Sequence, residues 1–336
     1  MKFKKTLKEQ PATKKKLINF FIAISKFHIN SVRTFKNLLI RDSKPNPIHR
    51  LFSLLLAIFS WPLYKAADKI VWSKIRENLG GRVKIMVSGG SSIPTHIESF
   101  YDMIGLNIIN GYGLTETSPV ISNRVAKHNV MGTVGLPPPG TTLKVVDVET
   151  RQPLPVGKPG VLLAKGPGVM SGYNQNPTAT QEAIDSDGFF NTGDLARVNP
   201  ATGDFIITGR AKDTIVLSNG ENIEPQSIEE AILATSPVVD QVMLVGQDEK
   251  YLSALLVLNV PELVSRGLID SNKGSQLTSM ISAVNSGGSG GSVSELRQQA
   301  AELGEIPAVK EFIMNDLNKV LHIPFFTHMF FTTHCV

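Results

Sequence analysis

At Gly80-Gly81 the hydrophobic period of this chain switches from helical to extended, and that switch restricts the fold more than any other feature. Before it, Leu17, Phe20, Phe21, Ile24, Phe27 and Val32 recur mostly at three- and four-residue steps between Lys14 and Leu39, and a second such pattern runs from His49 to Ile75. Such steps gather apolar groups on one side of a helix, so both stretches predict helices. After it, short apolar runs bounded by glycine predict strands at Val83–Val87, Leu106–Ile109, Leu143–Val148, Val161–Ala164 and Phe205–Ile207. Beyond Gly209 a smaller α+β unit is expected, with strands Thr214–Leu217, Val242–Val245 and Ser253–Leu258 and helix Gln226–Ala234. Ser286–Ser292 (SGGSGGS) reads as a flexible linker, followed by helical patterns at Val293–Leu303 and Ala308–Leu321.

A length of 336 residues, 42% hydrophobic and 19% charged, allows about two globular domains and excludes global disorder and collagen. The single cysteine, Cys335, excludes a disulfide scaffold and favours a reducing compartment over secretion. Residues 1–50 carry 13 Lys or Arg against Glu9 and Asp42, a local balance of +11 that leaves −6 for the rest of the +5 chain. A basic stretch beside an apolar one suits an anionic lipid surface or an acidic partner, although a solvated helix face is the commoner reason for such charges. Nucleic acid is not expected as a partner, because these fifty residues offer no Trp or Tyr for base stacking. The longest apolar run, Leu51–Tyr64, has 14 residues including Pro62. That is short of the roughly 20 needed to cross a bilayer, so a buried or interfacial helix is expected there. The N-terminus lacks the order of features that marks a secretory signal.

Four glycine-containing segments carry candidate chemistry. Val87-Ser88-Gly89-Gly90-Ser91-Ser92-Ile93-Pro94 follows a predicted strand and precedes an amphipathic helix. Its bare backbone lets a ligand approach and Pro94 suits a first helical turn, yet a plain strand-to-helix turn reads the same way. Asn110-Gly111-Tyr112-Gly113-Leu114-Thr115-Glu116-Thr117-Ser118-Pro119 combines a flat aromatic face for a base, a hydroxyl for a phosphate oxygen and a hard carboxylate suited to Mg²⁺. An ordinary helix start has the same composition. In Asp187-Gly188-Phe189-Phe190-Asn191-Thr192-Gly193-Asp194-Leu195, a carboxylate at a turn before a strand can accept two hydrogen bonds from a ribose diol, or simply close an Asx turn. Gly209-Arg210-Ala211-Lys212-Asp213-Thr214, continuing through Ser218-Asn219-Gly220-Glu221-Asn222-Ile223-Glu224-Pro225, offers Arg210 for a phosphate or ribose.

Taken together and in this order, Tyr-Gly-Leu-Thr-Glu-Thr (112–117), Gly-Phe-Phe-Asn-Thr-Gly-Asp (188–194) and the run 209–225 resemble the adenylate-forming acyl-activating enzymes, also called AMP-binding synthetases. With Gly132-Thr133-Val134-Gly135 and Asp240–Gln247 (DQVMLVGQ), the chain looks most like the long-chain acyl-ACP and acyl-CoA synthetases of plastid and cyanobacterial type, over roughly Lys14 to Asn259. The resemblance implies an α/β fold. Residues 1–209 would be the C-terminal portion of the large AMP-binding domain, a parallel or mixed sheet plus a β-rich subdomain. Residues 210–336 would be the small mobile α+β domain, incomplete and divergent after about residue 303. It further implies ATP, AMP and Mg²⁺ as ligands, a long-chain fatty acid as substrate, and acyl-carrier protein or CoA as acceptor. Peripheral membrane association, in a plastid or on the cytoplasmic face of a membrane, goes with the same resemblance.

Carried over residue by residue, the resemblance implies that Tyr112, flanked by Gly113, stacks on adenine, Thr115 contacts the α-phosphate and Glu116 holds Mg²⁺. Ser88, Gly89 and Gly90 would border the adenine or acyl pocket, Asp194 would bind the ribose hydroxyls and Arg210 the ribose or phosphate side. Lys212 would sit at the hinge of the small domain and Gly220 where the carrier thiol enters. Two parts of the pattern are not found: the Ser/Thr/Gly-rich phosphate loop expected upstream, and the lysine after a Thr-rich segment near the C-terminus. Lys310 and Lys319 read as helix-surface residues, and His328, His334 and Cys335 have no standard metal spacing. The expectation is a partial ligase of doubtful independent activity, with bare sheet edges that favour association. The alternative is a non-catalytic fragment that binds adenylate, a membrane or a partner; within the enzymes, an aryl or short-acyl ligase is the runner-up.

Overall fold

A computed structural model describes residues 11–285, 298, 302–303, 306–321 and 333–335. The chain divides between Thr208 and Gly209 into two compact units.

The first unit opens with helix α1 (Ala12–Lys36), which has Arg33 and Lys36 in its last turn, where the helix dipole favours cations. Asn37 ends it in a left-handed conformation (φ 56°), and the Asn37 and Leu38 amides close back on Thr34 and Arg33. Helix α2 (Pro47–Ala67) starts from Asn46, whose side chain accepts from the Ile48 amide, and keeps Pro62 in its interior. A π-helical segment, Asp68–Trp72, and helix α3 (Ser73–Glu77) carry the same run onward to Gly80 and Gly81. Both glycines have positive φ (84° and 68°), and their amides return to Glu77 and Arg76, which stops the helix.

Strand β1 (Ile85–Ser88), helix α4 (Thr95–Met103) and strand β2 (Asn107–Gly113) form a βαβ unit, with Ser88 opposite Asn110 in the parallel register. Strand β3 (Val120–Asn123) pairs antiparallel with β2. Phe21, Ala67, Trp72, Met103, Ile104 and Leu106 form the core beneath this sheet. A second, four-stranded sheet has the order β4 (Thr142–Val146), β5 (Gly160–Lys165), β6 (Phe190–Val198), β7 (Phe205–Arg210), with the short helix α5 (Pro177–Ala183) between β5 and β6. Val134 and Gly135 link the sheets: the Val134 amide donates to the Phe205 carbonyl (2.8 Å) and the Phe205 amide to that of Gly135 (2.9 Å).

The second unit begins with hairpin β8 (Ile215–Val216) and β9 (Asn222–Ile223), followed by helix α6 (Pro225–Thr235). Strands β10 (Val239–Val245) and β11 (Ser253–Leu258) are antiparallel, and helices α7 (Val260–Ser265), α8 (Ser271–Asn285) and α9 (Pro307–Leu321) follow. Thr333–Cys335 forms strand β12, parallel to β11, in the tail for which no role was expected. Ile228, Ile232, Leu256, Leu263, Leu277 and Leu317 lie in its core. Lys310 and Lys319 are exposed on α9, and Lys319 pairs with Asp316 at 2.6 Å. The Gly/Ser stretch 286–292 and most of the helix expected at 293–303 lie outside the described residues.

Candidate active site

Three of the four glycine segments converge in the first unit. At the end of β1, an added Cβ on Gly89 would sit 3.4 Å from the Gly111 carbonyl, and Gly90 adopts φ +82°, so neither position accepts a side chain freely. Pro94 is one residue earlier in the helix than its expected first-turn place. It is the cap, with ψ 130°, and Thr95 is the first helical residue.

The Asn110–Pro119 segment is not the start of a regular helix. Asn110, Gly111, Tyr112 and Gly113 belong to β2, and a single 3₁₀ turn, Thr115–Thr117, follows. The buried Thr117 side chain stabilises that turn, accepting from the Leu114 amide at 2.9 Å. Thr115 is thereby left exposed and Glu116 half-buried. Close approach explains Gly113: an added Cβ would fall 1.6 Å from the Pro119 carbonyl oxygen.

Asp194 is likewise not at a turn before a strand; it sits inside β6 and is only 6% exposed. The Asx turn predicted nearby is made by Asp185, whose Oδ1 accepts from the Asp187 and Phe189 amides. Tyr112 Oη donates to Asp194 Oδ2 at 2.6 Å, so the aromatic face and the carboxylate expected to serve one nucleoside are joined across 82 residues of sequence. The Tyr112 ring packs on the core of the second sheet around Val134, Val145 and Leu162.

Glu116 Oε1 accepts from the Tyr173 hydroxyl at 3.1 Å, and its carbonyl accepts from the Met170 amide. The Tyr173 phenol is pushed above its ordinary range, first by desolvation and then by its hydrogen bond to this carboxylate. Arg210, Lys212 and Gly220 belong to the second unit and form a separate group. The Arg210 carbonyl accepts from the Asp213 amide (3.1 Å), which closes a turn with Lys212 exposed on it. Gly220, at φ +83°, completes the turn between β8 and β9, with its amide on the Leu217 carbonyl.

Residue-type reasoning missed two features. Asn110 Oδ1 is buried and has no hydrogen-bond partner among the described residues. Its signal was available, because Asn110 continues the inward parity of Ile108 on a strand and a polar residue there needs a partner. Behind β2 lies a buried charge network with no such signal. The Arg124 guanidinium, 1% exposed, pairs with Glu98 and also reaches the Asn129 side chain and the Val130 carbonyl. Asn129 Nδ2 and the Arg124 amide then hold the carbonyls of Ile108 and Asn110, at 3.0 Å each. Two carbonyls of β2 are thus held by residues of this network.

These residues fit an adenosine phosphate. Tyr112 supplies a ring face and Asp194 an acceptor for a diol, and beside them Asn110 holds a buried side-chain oxygen without a partner among the described residues. The glycines at 89, 90, 111 and 113 keep side chains out of the approach. The fit to Mg²⁺ is narrower. No group of three or more His, Cys, Asp or Glu able to hold a metal exists among the described residues. A single carboxylate, Glu116, suits an ion that keeps several waters and binds phosphates directly.

A nucleotide-type α/β unit followed by a smaller α+β unit is therefore the class that fold and site define. Residues 24–174 match the family described as AMP-binding enzyme, and residues 212–292 match the AMP-binding enzyme C-terminal domain. The chain belongs to the AMP-binding enzymes. It is 42% identical over 253 residues to "Probable acyl-activating enzyme 16, chloroplastic" of Arabidopsis thaliana, a match over 71% of this chain and 35% of that protein. It is 37% identical to the "Long-chain-fatty-acid--[acyl-carrier-protein] ligase AEE15, chloroplastic" of the same plant, over 77% of this chain and 37% of that protein. The chain thus spans about a third of the length of these relatives. Among solved structures, the adenylation domain of a carboxylate reductase from Mycobacterium chelonae superposes with a TM-score of 0.55 at 19% identity, over 95% of this chain and 40% of that one, a likeness of fold.

Proposed function

We propose that this chain carries the adenylate site and the thiol-transfer unit of an AMP-forming long-chain acyl ligase. The observation that carries the reading is the Tyr112–Asp194 hydrogen bond, with the unpartnered Asn110 acceptor two residues from Tyr112 on the same strand. Tyr112 stacks on the base, Asn110 accepts from its amine, and Asp194 accepts from the ribose hydroxyls. Ser88, Gly89 and Gly90 border the pocket, while Thr115 donates to an α-phosphate oxygen. Arg210 adds positive charge on the ribose or phosphate side, Lys212 lies at the hinge, and Gly220 leaves room for the thiol.

A fatty carboxylate oxygen attacks the α-phosphorus of ATP, and the bond to the departing pyrophosphate breaks. The carrier thiol, losing its proton, then attacks the acyl carbonyl and the bond to AMP breaks. Charge builds on phosphate oxygens in the first step, so donors fixed in advance lower its barrier. Magnesium held at Glu116 would neutralise part of that charge. Relatives named for long-chain fatty acids and the acyl-carrier protein support a long-chain substrate with that carrier or CoA as acceptor, and the chloroplastic names support a plastid location. Peripheral contact with a lipid surface belongs to the same reading, supported by an exposed apolar helix face.

Calorimetric titration of the chain with AMP, and with a non-hydrolysable long-chain acyl-adenylate analogue, tests the reading. Binding of both, tighter for the acyl analogue than for an aryl one, is expected. Absence of AMP binding overturns it, and preference for the aryl analogue transfers it to the runner-up substrate class.

A further inference from the structure

Helix α2 is built inside out. The residues it buries are Ser53, Ala57, Ser60 and Ala67, while Ile48, Leu51, Phe52, Leu55, Ile58 and Phe59 face outward, Phe59 at 81% exposure. The outward positions follow one another at steps of one and three, which makes them a continuous stripe rather than scattered exceptions. Small residues on the inner side allow α1 to approach closely, and the seam there is polar: His28 Nδ1 meets Ser60 Oγ at 3.0 Å and Trp72 Nε1 donates to Ser25 Oγ at 2.9 Å.

Length and charge say what covers the stripe. Pro47–Glu77 is the one described helix long and apolar enough to cross a membrane by length and composition. Its outward apolar positions from Ile48 to Leu63, however, span only about 24 Å at 1.5 Å per residue, less than a hydrocarbon core of about 30 Å. Cations flank both ends: Arg41, Lys44 and Arg50 precede or open the stripe, and Lys65, Lys69 and Lys74 follow it. Of the nearby acids, Asp68 is taken up by Arg76 at 2.5 Å. Trp61, 53% exposed, stands near the C-terminal end, where an indole suits the headgroup level. We infer that the outward stripe of α2 is a docking surface for an anionic lipid bilayer, lying in the interface with its basic ends on the headgroups. This rests on the peripheral membrane contact proposed above and assigns it to one helix face.

The test is flotation of the 336-residue chain with phosphatidylcholine vesicles, with and without phosphatidylglycerol, for the parent and for the double variant Leu55→Gln/Phe59→Gln. Both side chains are exposed, so melting temperature and AMP titration should not move. Expected are flotation that requires the anionic lipid and weakens with salt, and a loss of about tenfold or more in vesicle partition for the variant. Equal flotation of parent and variant would overturn the assignment while leaving membrane contact standing. A parent that stays with the aqueous fraction would overturn both; if it also sediments as a dimer that the variant abolishes, a second copy covers the stripe. The AMP titration reads the adenylate site independently of every one of these outcomes.

Discussion

Removing the Asp194 carboxylate separates two roles that the ligand-free structure superimposes. Asp194 Oδ2 accepts from Tyr112 Oη at 2.6 Å, and the same buried carboxylate is the proposed acceptor for the ribose diol. A hydrogen bond to a charged group contributes about 1.5–3 kcal/mol, so Asp194→Ala should weaken AMP binding by about 2 kcal/mol, near thirty-fold in Kd. Tyr112→Phe removes the hydroxyl but keeps both the ring for stacking and the carboxylate for ribose, and should hold the Kd within about threefold. Stability should respond differently. Either single change breaks the same bond, so each should lower the unfolding free energy by about 1–3 kcal/mol. The double variant should lose less than the sum, because the second change has no bond left to break. Calorimetric titration with AMP gives the first pair of numbers and urea unfolding the second. A Tyr112→Phe variant that binds AMP as poorly as Asp194→Ala would refute the reasoning, since Asp194 would then act only by holding Tyr112. AMP binding untouched by Asp194→Ala would place the ribose acceptor elsewhere.

Gly113→Ala should cost at least about 1–3 kcal/mol by forcing β2 away from Pro119, with AMP binding lost alongside; a melting curve identical to the parent's would contradict the close approach at that position. Arg124→Met leaves Glu98 buried without its partner and should destabilise the fold by about 3–5 kcal/mol in urea. The double change Arg124→Met/Glu98→Met should recover most of that loss, and no recovery would mean the pair is valued for something other than mutual neutralisation. Burial holds the His28 imidazole below its ordinary value of 6.5. Between the two values the unfolded chain binds more protons than the folded one, so stability is complete above 6.5 and falls as pH drops toward the folded value. The urea midpoint should therefore decline on acidification below 6.5, and the decline should flatten in His28→Gln; an unchanged slope in that variant assigns the effect to other groups.

Helical stretches were the most legible part of the sequence, since Ala12–Lys36 and the continuous run Pro47–Glu77 lie within a few residues of the patterned runs. Periodicity predicts where a helix buries something, but it does not say which side faces inward. For α2 the structure turns the larger apolar residues outward and packs Ser53, Ala57 and Ser60 against α1. Strand β6 was hidden for a related reason. Phe190, Thr192 and Asp194 alternate inward along it, and because two of the three are polar the alternation reads as a turn. The glycine segments suggested a ligand site by composition, yet composition holds no distances. Tyr112 and Asp194 are brought together by the pairing of two sheets, and Tyr173 reaches Glu116 over 57 residues. Neither contact leaves a local trace.

The join between those sheets matters for what nucleotide binding does to the protein. Tyr112 comes from the sheet of β1, β2 and β3, and Asp194 from the sheet of β4 to β7. Their other links include the paired bonds of Val134 and Gly135 with Phe205, the packing of the Tyr112 ring and the return of the chain past Gly135. Gly135 adopts φ +87°, and a Cβ there would fall 2.2 Å from the Asn123 carbonyl, so the seam is made of close backbone contacts with little room to adjust. A nucleoside that stacks on Tyr112 and bonds Asp194 closes one more link across that seam. At a hundredfold excess over Kd, linkage gives about 2.7 kcal/mol of stabilisation, comparable to the charged hydrogen bond that spans the seam in the free protein. If a nucleoside binds as proposed, the stability of the join between the two sheets should rise with nucleotide occupancy.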